Sequence, residues 1–325
     1  MEPIFPLFRL PEKVILEVIK NFGMNKLFEF SLISTKTKNI AALLGIAAQT
    51  VCISIGRFVF VTVYVRPSNM EITFFNDLVG QDSLIHLDSN QPISAYFSNY
   101  YNRRVRSSTL FSFNNWLDHI RTVFSYSKPQ DMTFLRGNDR FEVESLKNAI
   151  KSVDQLFLTG ENSESRNREL LEHFKNANKL ILERNPFEEA CEVQKYFIRN
   201  FKSIAYCDDV SLDDMLLVNS KRVEFSRPIS EKQFIRFLKH WIRGSNPRLQ
   251  FMNLYIDIAD LVNGEVYLKG INWIEITEES KKEIRQKHGI YDNEMVQIKR
   301  NDGTTAVFVL YEFETFISVC FYVLY

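Results

Sequence analysis

Histidine and cysteine are the side chains that most often bind metals and carry reactive protons, so their spacing is a direct test for chemistry in this chain. The five histidines are isolated, and none forms the H-x-x-x-H or H-E-x-x-H spacing that places two ligands on one helix face. The four cysteines are far apart and include no C-x-x-C pair. We therefore predict no metal site.

An acidic group could in principle hold a divalent cation through its carboxylates. It consists of Asp208, Asp209, Asp213 and Asp214. The stretch SLDD that begins at Ser211, however, has the spacing of a capping box at the start of a helix. This pattern favours a helix start over a cation site.

The motifs of nucleotide and acyl-transfer enzymes are missing from the sequence. It contains no G-x-G-x-x-G, no Walker loop and no G-x-S-x-G, and its 11 glycines leave little material for a phosphate-binding loop. An enzyme without these motifs would still need polar side chains that converge in a cleft, and the sequence indicates none. We expect a non-catalytic protein without a cofactor.

A basic group in the stretch YNRRVRSS has the chemistry to bind a phosphate or an acidic peptide, because guanidinium groups match such oxygens. It consists of Arg103, Arg104 and Arg106. The alternative is an exposed, solvated loop.

Composition limits the classes of partner. The 325 residues are 45% hydrophobic, and 40 Lys and Arg balance 40 Asp and Glu, so no excess of positive charge predicts nucleic-acid binding. The longest apolar runs fall short of the ~18 residues needed to cross a bilayer. The scattered cysteines are typical of free thiols in a reducing compartment. We expect a protein of the cytoplasm or nucleus, with no nucleic-acid or membrane partner.

The first 44 residues predict three short helices. Pro11 suits a first helical turn, apolar residues follow at helical spacing, and Gly23 is predicted to end the helix. Two more helical stretches cover 25–32 and 34–44, the last beginning with a capping residue. From Thr50 the pattern changes to the alternation of antiparallel strands, followed by a helix within 107–124.

The middle of the chain repeats a strand and a helix. Aligning one apolar residue per strand from Met132 to Leu249 gives steps of 24, 24, 24, 19 and 26 residues. Such a period is typical of a leucine-rich-repeat-like α/β solenoid, here a divergent one because the consensus asparagine ladder is not apparent. We place these units at about 130–256. A capping box of Ser230 and Gln233 is predicted to open the last helix, and a hairpin turning at Asp302 and Gly303 lies within about 294–325.

Two distant stretches resemble one family. Leu10-Pro11, a helix that ends near Phe22, a leucine-containing second helix and SLISTKTKNIAALL from Ser31 resemble an F-box. The stretch FLKHWIRGSNPRLQFMNL (237–254) is similar to the signature of the type 2 F-box-associated domain, a family expanded in nematodes, and IKRNDGTTAVFV is similar to that domain's ending. The resemblance implies an F-box at 1–48 and an F-box-associated domain at 49–325. It implies an α+β fold in which three helices precede the divergent leucine-rich-repeat-like solenoid, with antiparallel strands at its ends.

The resemblance also implies a function. F-box proteins of this type are substrate receptors of Skp-cullin-F-box ubiquitin ligases: they bind a Skp-type adaptor, reach the cullin through it, hold a target protein and make no bond themselves. Matched onto this chain, the adaptor-binding residues are Leu10, Pro11, Val14, Ile15, Ile19 and Leu27. For all six residues, Val14 and Leu27 in particular, the alternative is packing among the three helices.

Strand alternation gives candidates for the target-binding surface, because side chains of one strand point alternately to opposite faces of a sheet. The outward positions are Gln155, Lys179, Ser203 and Glu224, and the basic group of Arg103, Arg104 and Arg106 completes the target-binding candidates. A different interpretation of the whole chain is an intracellular protein-interaction scaffold outside the ubiquitin system, in which the N-terminal helices cap the sheet.

Overall fold

The computed structural model describes residues 7–75, 84–98, 104–257, 268, 270–289 and 295–324. The chain divides into two compact units, and the division passes through the helix α6, Glu164–His173. Unit 1 comprises 1–162 with 169–177, and unit 2 comprises 163–168 with 178–325. Both units combine helices and strands, so the predicted mixed α/β class is confirmed. The arrangement as an F-box followed by a leucine-rich-repeat-like solenoid stays a prediction, as do the domain boundaries.

Three helices begin unit 1 after a 3-10 turn at Leu7–Arg9: α1 (Glu12–Ile19), α2 (Met24–Ser31) and α3 (Thr35–Leu43). Ser34 caps α3 through a capping box, in which its hydroxyl accepts from Thr37 N at 3.2 Å. The prediction that Gly23 ends the first helix is wrong. α1 ends at Ile19, and Gly23 has an ordinary φ of −64° and stands as the residue before α2.

Phe28 of α2 anchors the three helices to the rest of unit 1. Its fully buried ring stacks on Phe124 at 5.8 Å between centroids and meets the edges of Phe97 at 5.7 Å and His119 at 5.4 Å. These rings belong to the strand β4 and to the helix α4 with its C-terminal cap. The N-terminal helices therefore share a hydrophobic core with the sheet of unit 1.

The strands of unit 1 follow the order β7-β6-β1-β2-β3-β4-β5. β1 pairs in parallel with β6, and β6 with β7, whereas β1 to β5 are antiparallel. The strands are β1 (Thr50–Ile55), β2 (Val59–Val65), β3 (Ser68–Phe75), β4 (Ser94–Ser98), β5 (Arg104–Arg106), β6 (Gln130–Phe134) and β7 (Val153–Leu158). The helices are α4 (Phe113–Val123) and α5 (Val143–Ala149). α4 begins six residues later than the predicted stretch 107–124, because Ser112 caps it.

An asparagine pair follows two parallel strands of unit 1 at the repeat spacing. Asn138 and Asn162 stand 24 residues apart, and Asn138 Nδ2 donates to Asn162 Oδ1 at 2.7 Å and to the carbonyl oxygen of Leu135. Asn162 Nδ2 donates to Phe134 O at 2.9 Å. This single pair lies one position after the place of the consensus asparagine, so the expectation that the consensus ladder is missing stays a prediction.

Unit 2 contains the strand–helix alternation that the sequence predicted. The parallel strands are β8 (Lys179–Leu182), β9 (Ser203–Tyr206), β10 (Arg222–Ile229) and β11 (Phe251–Asp257), and the helices between them are α7 (Ala190–Phe197), α8 (Leu212–Leu217) and α9 (Glu231–Ile242). Ser230 caps α9 by accepting from Gln233 N, but the predicted capping box is only half formed. Gln233 Nε2 instead donates to Val210 O at 2.8 Å, in the preceding loop.

Antiparallel strands complete unit 2. β15 (Phe316–Leu324) pairs with β11, and β14 (Thr305–Glu312), β13 (Met295–Lys299) and β12 (Trp273–Glu275) follow in that order. The predicted hairpin is confirmed, with Gly303 at a φ of +94° in its turn. The helix α10 (Glu278–His288) was not predicted, because its sequence lacks an apolar stripe. In the described part of the chain no helix is long and apolar enough to cross a membrane.

Replacing Phe28 with alanine tests the anchoring role of its ring. Because the ring is fully buried among aromatic neighbours, we expect Phe28→Ala to lower the free energy of unfolding by about 3–5 kcal/mol in urea titrations. Ile33→Ala is the control, since Ile33 is 68% exposed and its loss should cost under about 0.5 kcal/mol. Equal effects of the two substitutions would contradict this description of the core.

Candidate protein-binding surfaces

Two surfaces bear on protein binding, and the first is an apolar stripe on α1. Pro11, Val14 and Val18 are spaced by three and four residues, so they lie along one side of the helix. Val14 is 43% exposed and Val18 is 38% exposed. We call these three residues the α1 stripe. The half-buried Leu10 precedes it.

The opposite side of α1 faces the core of unit 1. Ile15 and Ile19 are buried there, and Leu27 of α2 is buried as well. Of the six residues predicted to bind the adaptor, these three therefore pack within the chain, while Leu10, Pro11 and Val14 are accessible. Whether any of them binds an adaptor stays a prediction. Val18 was not among the predicted residues, although its position four residues after Val14 indicates it.

A buried hydrogen bond lies beneath the N-terminal helices. The Ser31 hydroxyl donates to Phe28 O at 2.6 Å, so we assign the 2.8 Å contact with His119 to donation by Nε2–H of the neutral ring. Burial, assisted by the charge of Lys38, lowers the pKa of His119 to about 4. The imidazole is therefore neutral at physiological pH and joins α2 to α4.

The second surface is one face of the parallel strands in unit 2, which we call the open face. Strand register places two rows of side chains across it, and their exposed fractions are intermediate or high. The first row is Lys179, Ser203, Arg222, Phe251 and Tyr322. The second row is Ile181, Ala205, Glu224, Asn253 and Cys320. The alternate side chains of these strands, such as Ile204 and Val223, are buried beneath the helices on the other face.

Aromatic rings cross the open face in contact with one another. The guanidinium carbon of Arg222 lies 4.4 Å from the centroid of Phe251, and the rings of Phe251 and Tyr322 are 5.1 Å apart. The rings of Tyr255 and Phe316 are 5.0 Å apart on the same two strands. Burial raises the pKa of Tyr322 to about 12, so its phenol is neutral at physiological pH.

Polar groups lie between these rings. Asn253 Nδ2 donates to the Tyr255 hydroxyl at 3.2 Å, and the Ser318 hydroxyl donates to Asn253 Oδ1 at 3.2 Å. Large rings with a polar end, placed beside a guanidinium, are the side chains enriched where proteins bind one another. The open face therefore has the chemistry of a protein-binding surface.

The helix α10 limits the open face on one side. Val307 and Val309 of β14 pair with Tyr322 and Cys320, so they share this side of the sheet. Both valines are buried in a cluster with Met295 and Ile276, against which Ile284 of α10 packs. α10 thus covers β13 and β14 and also contacts β15, where the rings of His288 and Tyr322 are 5.2 Å apart. The surface that remains accessible lies on β8 to β11 and on the half-buried residues of β15.

The residues predicted to bind a target are dispersed. Lys179, Ser203 and Glu224 lie together on the open face, as the register shows. Gln155 lies on β7 of unit 1, opposite Asp131, and Arg106 donates to the Ser94 hydroxyl at 2.7 Å. Arg104 belongs to β5, and Arg103 lies outside the described residues. Target binding by any of these residues stays a prediction.

Two buried side chains satisfy backbone carbonyl oxygens at the ends of helices in unit 2, and one of them, Arg300, connects the two stretches that carry the sequence resemblance. Asn246 Nδ2 donates to the carbonyl oxygens of Met215 and Val218, both at 2.9 Å, at the end of α8. Arg300, which is 7% exposed, donates to the carbonyl oxygens of Gly244 and Ser245 after α9, and its guanidinium carbon lies 5.4 Å from the Trp241 ring centroid. The sequence did not predict these two capping roles, because Asn246 lies far from α8 in sequence and Arg300 lies far from α9.

The acidic group near Ser211 is part of a helix start. Asp214 accepts hydrogen bonds from the backbone N and hydroxyl of Ser211 at 2.8 and 2.7 Å, completing a capping box. Gln194 Nε2 donates to its other oxygen at 2.8 Å. No group of three or more candidate metal ligands occurs in the described ranges.

Comparisons with known proteins identify relatives of this chain. A family model described as F-box associated matches residues 192–254, from α7 into β11. The chain is similar to the F-box associated domain-containing protein sdz-33 of Caenorhabditis elegans, with 22% identity over 307 residues that cover 93% of this chain and 92% of the relative. No solved structure matches it. These findings confirm the resemblance to F-box-associated domain proteins that was expected from the sequence.

The lowered pKa of His119 predicts a pH dependence of stability. The unfolded ring binds a proton near pH 6.5, whereas the folded ring resists protonation until about pH 4. Stability should therefore fall as the pH drops through this window. Comparing the wild type with His119→Gln by urea unfolding at each pH isolates this contribution. We expect the difference between them to change by on the order of 2–3 kcal/mol from pH 7 to pH 4, and a constant difference would contradict it.

Removing the Arg300 guanidinium tests the connection between α9 and the terminal hairpin. Arg300→Gln leaves the carbonyl oxygens of Gly244 and Ser245 without their donor, and we expect the free energy of unfolding to fall by about 2–4 kcal/mol. Lys299→Gln, at the exposed neighbouring position, is the matched control and should change stability by less than about 0.5 kcal/mol. A loss of similar size in both variants would exclude a specific role for Arg300.

Proposed function

Taking the relationship to F-box-associated domain proteins as the premise, we propose that this chain is a substrate-recognition subunit of a Skp-cullin-F-box ubiquitin ligase. In this role it binds a Skp-type adaptor with its N-terminal helices, reaches the cullin through that adaptor and holds a target protein. It makes no bond itself. Its contribution is proximity, because holding a target beside the conjugating enzyme raises the effective concentration of the reacting groups.

The observation that carries the proposal is that α1 has apolar residues on both its buried and its exposed side. A helix eight residues long buries one apolar side in its own unit and still presents Pro11, Val14 and Val18 to solvent. Exposed apolar residues arranged in a stripe are typical of a surface that another protein covers. We assign the adaptor contact to the α1 stripe with Leu10, and a supporting role to Ile15, Ile19 and Leu27, which fix the helix from behind.

The finer fold assignment is part of this proposal. We take α1 to α3 as a divergent F-box and the strand–helix units as a leucine-rich-repeat-like solenoid. The repeat spacing of 24 residues and the hydrogen bond between Asn138 and Asn162 support it. The open face is then the target-binding surface, supported by its rings and by Arg222. Such a receptor would act in the cytoplasm or the nucleus.

A second candidate is an interaction scaffold outside the ubiquitin system. The packing of Phe28 against α4 and β4 favours it, because helices that share a core with the sheet can serve as a structural cap. Both candidates use the open face for a protein partner. They differ in whether the α1 stripe binds an adaptor.

Co-purification with a Skp-type adaptor separates the two candidates. We expect the full chain to retain the adaptor, and the double variant Val14→Glu with Val18→Glu to retain at least about tenfold less, since a charge buried in an apolar interface is costly. Both valines are exposed in the free chain, so the variant should keep its melting temperature.

The matched control is Ile198→Glu, which introduces the same charge at a residue that is 53% exposed in unit 2. This variant should bind the adaptor as the wild type does. If the wild type fails to bind, or if the α1 variant binds as well as the control, the ligase proposal is wrong and the scaffold takes its place.

A further inference from the structure

Unit 1 contains a cavity of about 130 Å³ beside the hairpin that joins β1 to β2. Phenylalanine side chains form much of its lining, and the rings of Phe58 and Phe75 lie 4.3 Å apart between centroids. Arg57 and Arg140 also line it. The cavity therefore combines aromatic walls with two residues whose side chains always carry a positive charge.

The backbone brings the two arginines to the same end of the parallel strands. Arg57 follows β1, and Arg140 follows β6 in a 3-10 turn at Asn138–Arg140. The two loops touch, because Leu135 N donates to Ile55 O at 2.8 Å and a Cβ on Gly137 would stand 3.2 Å from Arg57 N. Gly137 also has a φ of +88°, which favours glycine. This close approach fixes the backbone positions from which both arginine side chains extend.

Neither arginine forms an ion pair with a carboxylate in the part of the chain that the structure describes. The acidic side chains on the flanking segments are engaged elsewhere: Glu142 accepts from Glu144 N at 3.0 Å, and Asp88 accepts from the Ser145 hydroxyl at 2.7 Å. Asp139 is exposed beside Arg140 and does not line the cavity. The guanidinium carbon of Arg57 lies 5.8 Å from the centroid of Phe58, so charge and ring are adjacent.

We propose that this cavity binds an aromatic group that carries an oxyanion, with the ring packed against the phenylalanine side chains of the lining and the oxyanion on Arg57 and Arg140. A cavity of ~150 Å³ holds a benzene ring, so the volume suits one ring. Guanidinium groups bind phosphate and carboxylate oxygens through paired, charge-assisted hydrogen bonds. This site lies in unit 1, apart from the α1 stripe in sequence, and does not rest on the proposed function.

Calorimetric titration of the full chain with four small probes tests the proposal. Phenyl phosphate and benzoate carry both a ring and an oxyanion, phenol carries only the ring, and inorganic phosphate carries only the oxyanion. We expect phenyl phosphate to bind at least about tenfold more tightly than phenol and than inorganic phosphate. Benzoate, with a single charge, should bind more tightly than phenol, and its rank against phenyl phosphate tells which oxyanion the site prefers.

Variants connect binding to the two arginines. Arg57→Gln and Arg140→Gln should each weaken phenyl phosphate binding by about tenfold. Arg136→Gln is the matched control, because Arg136 is exposed on the same loop and does not line the cavity. Melting temperatures would identify a variant that fails to fold, and the conservative pair Arg57→Lys and Arg140→Lys, which keeps the charge, should then restore part of the binding.

Three results would overturn the proposal. Equal binding of phenol and phenyl phosphate would reduce the site to an apolar cavity. Equal binding of inorganic phosphate, or an equal loss in Arg136→Gln, would reduce it to a general basic surface. Absence of binding by every probe would show that the cavity is not a site for this class of ligand.

Discussion

The one-sided burial of parallel strands is the constraint on which unit 2 depends. Each connection between the parallel strands returns the chain through a helix, and α7 and α9 bury the side of the strands that carries residues such as Tyr206 and Phe321. The other side of the same strands then presents every second residue away from those helices. Arg222, Phe251 and Tyr322 form a row because of this alternation, without a loop or an insertion to hold them. The surface that we assign to a target therefore results from the same strand alternation that buries the opposite side chains in the core.

The helix α1 likewise buries one side and exposes the other, and it does so with few residues. Ile15 and Ile19 are enough to fix α1, because Phe28 of the next helix supplies the main anchor in the aromatic core of unit 1. Because these residues already hold the helix in place, Val14 and Val18 are not needed in the core and stay exposed. In the adaptor-binding role that we propose for α1, the helix is held in one orientation before the partner arrives, because it shares a core with the sheet. Less ordering is then required on binding, which favours affinity.

Patterns local in sequence predicted most of the elements. The apolar period of 24 residues located the parallel strands, and Ser34, Ser211 and Ser230 each marked a helix start, because a cap depends on residues three positions apart. Interactions over long separations could not be predicted in this way. Folding is needed to bring the partners of these hydrogen bonds together: Asn138 with Asn162, Gln233 with Val210, and Arg300 with the end of α9. On α1, helical spacing gave the apolar positions, but only tertiary packing decided that Ile15 faces inward and Val14 outward.

The cap that Arg300 supplies has a consequence for where this protein can be cut. The segment that matches the family model ends at 254, yet the carbonyl oxygens that follow α9 receive their donor from Arg300, and β11 pairs with β15 along its whole length. A fragment truncated after β11 would expose an unpaired strand edge and leave Trp241 without the ring of Phe321. The smallest piece of unit 2 suited to expression, crystallisation or fusion to a reporter therefore extends through Leu324, well beyond the recognisable signature.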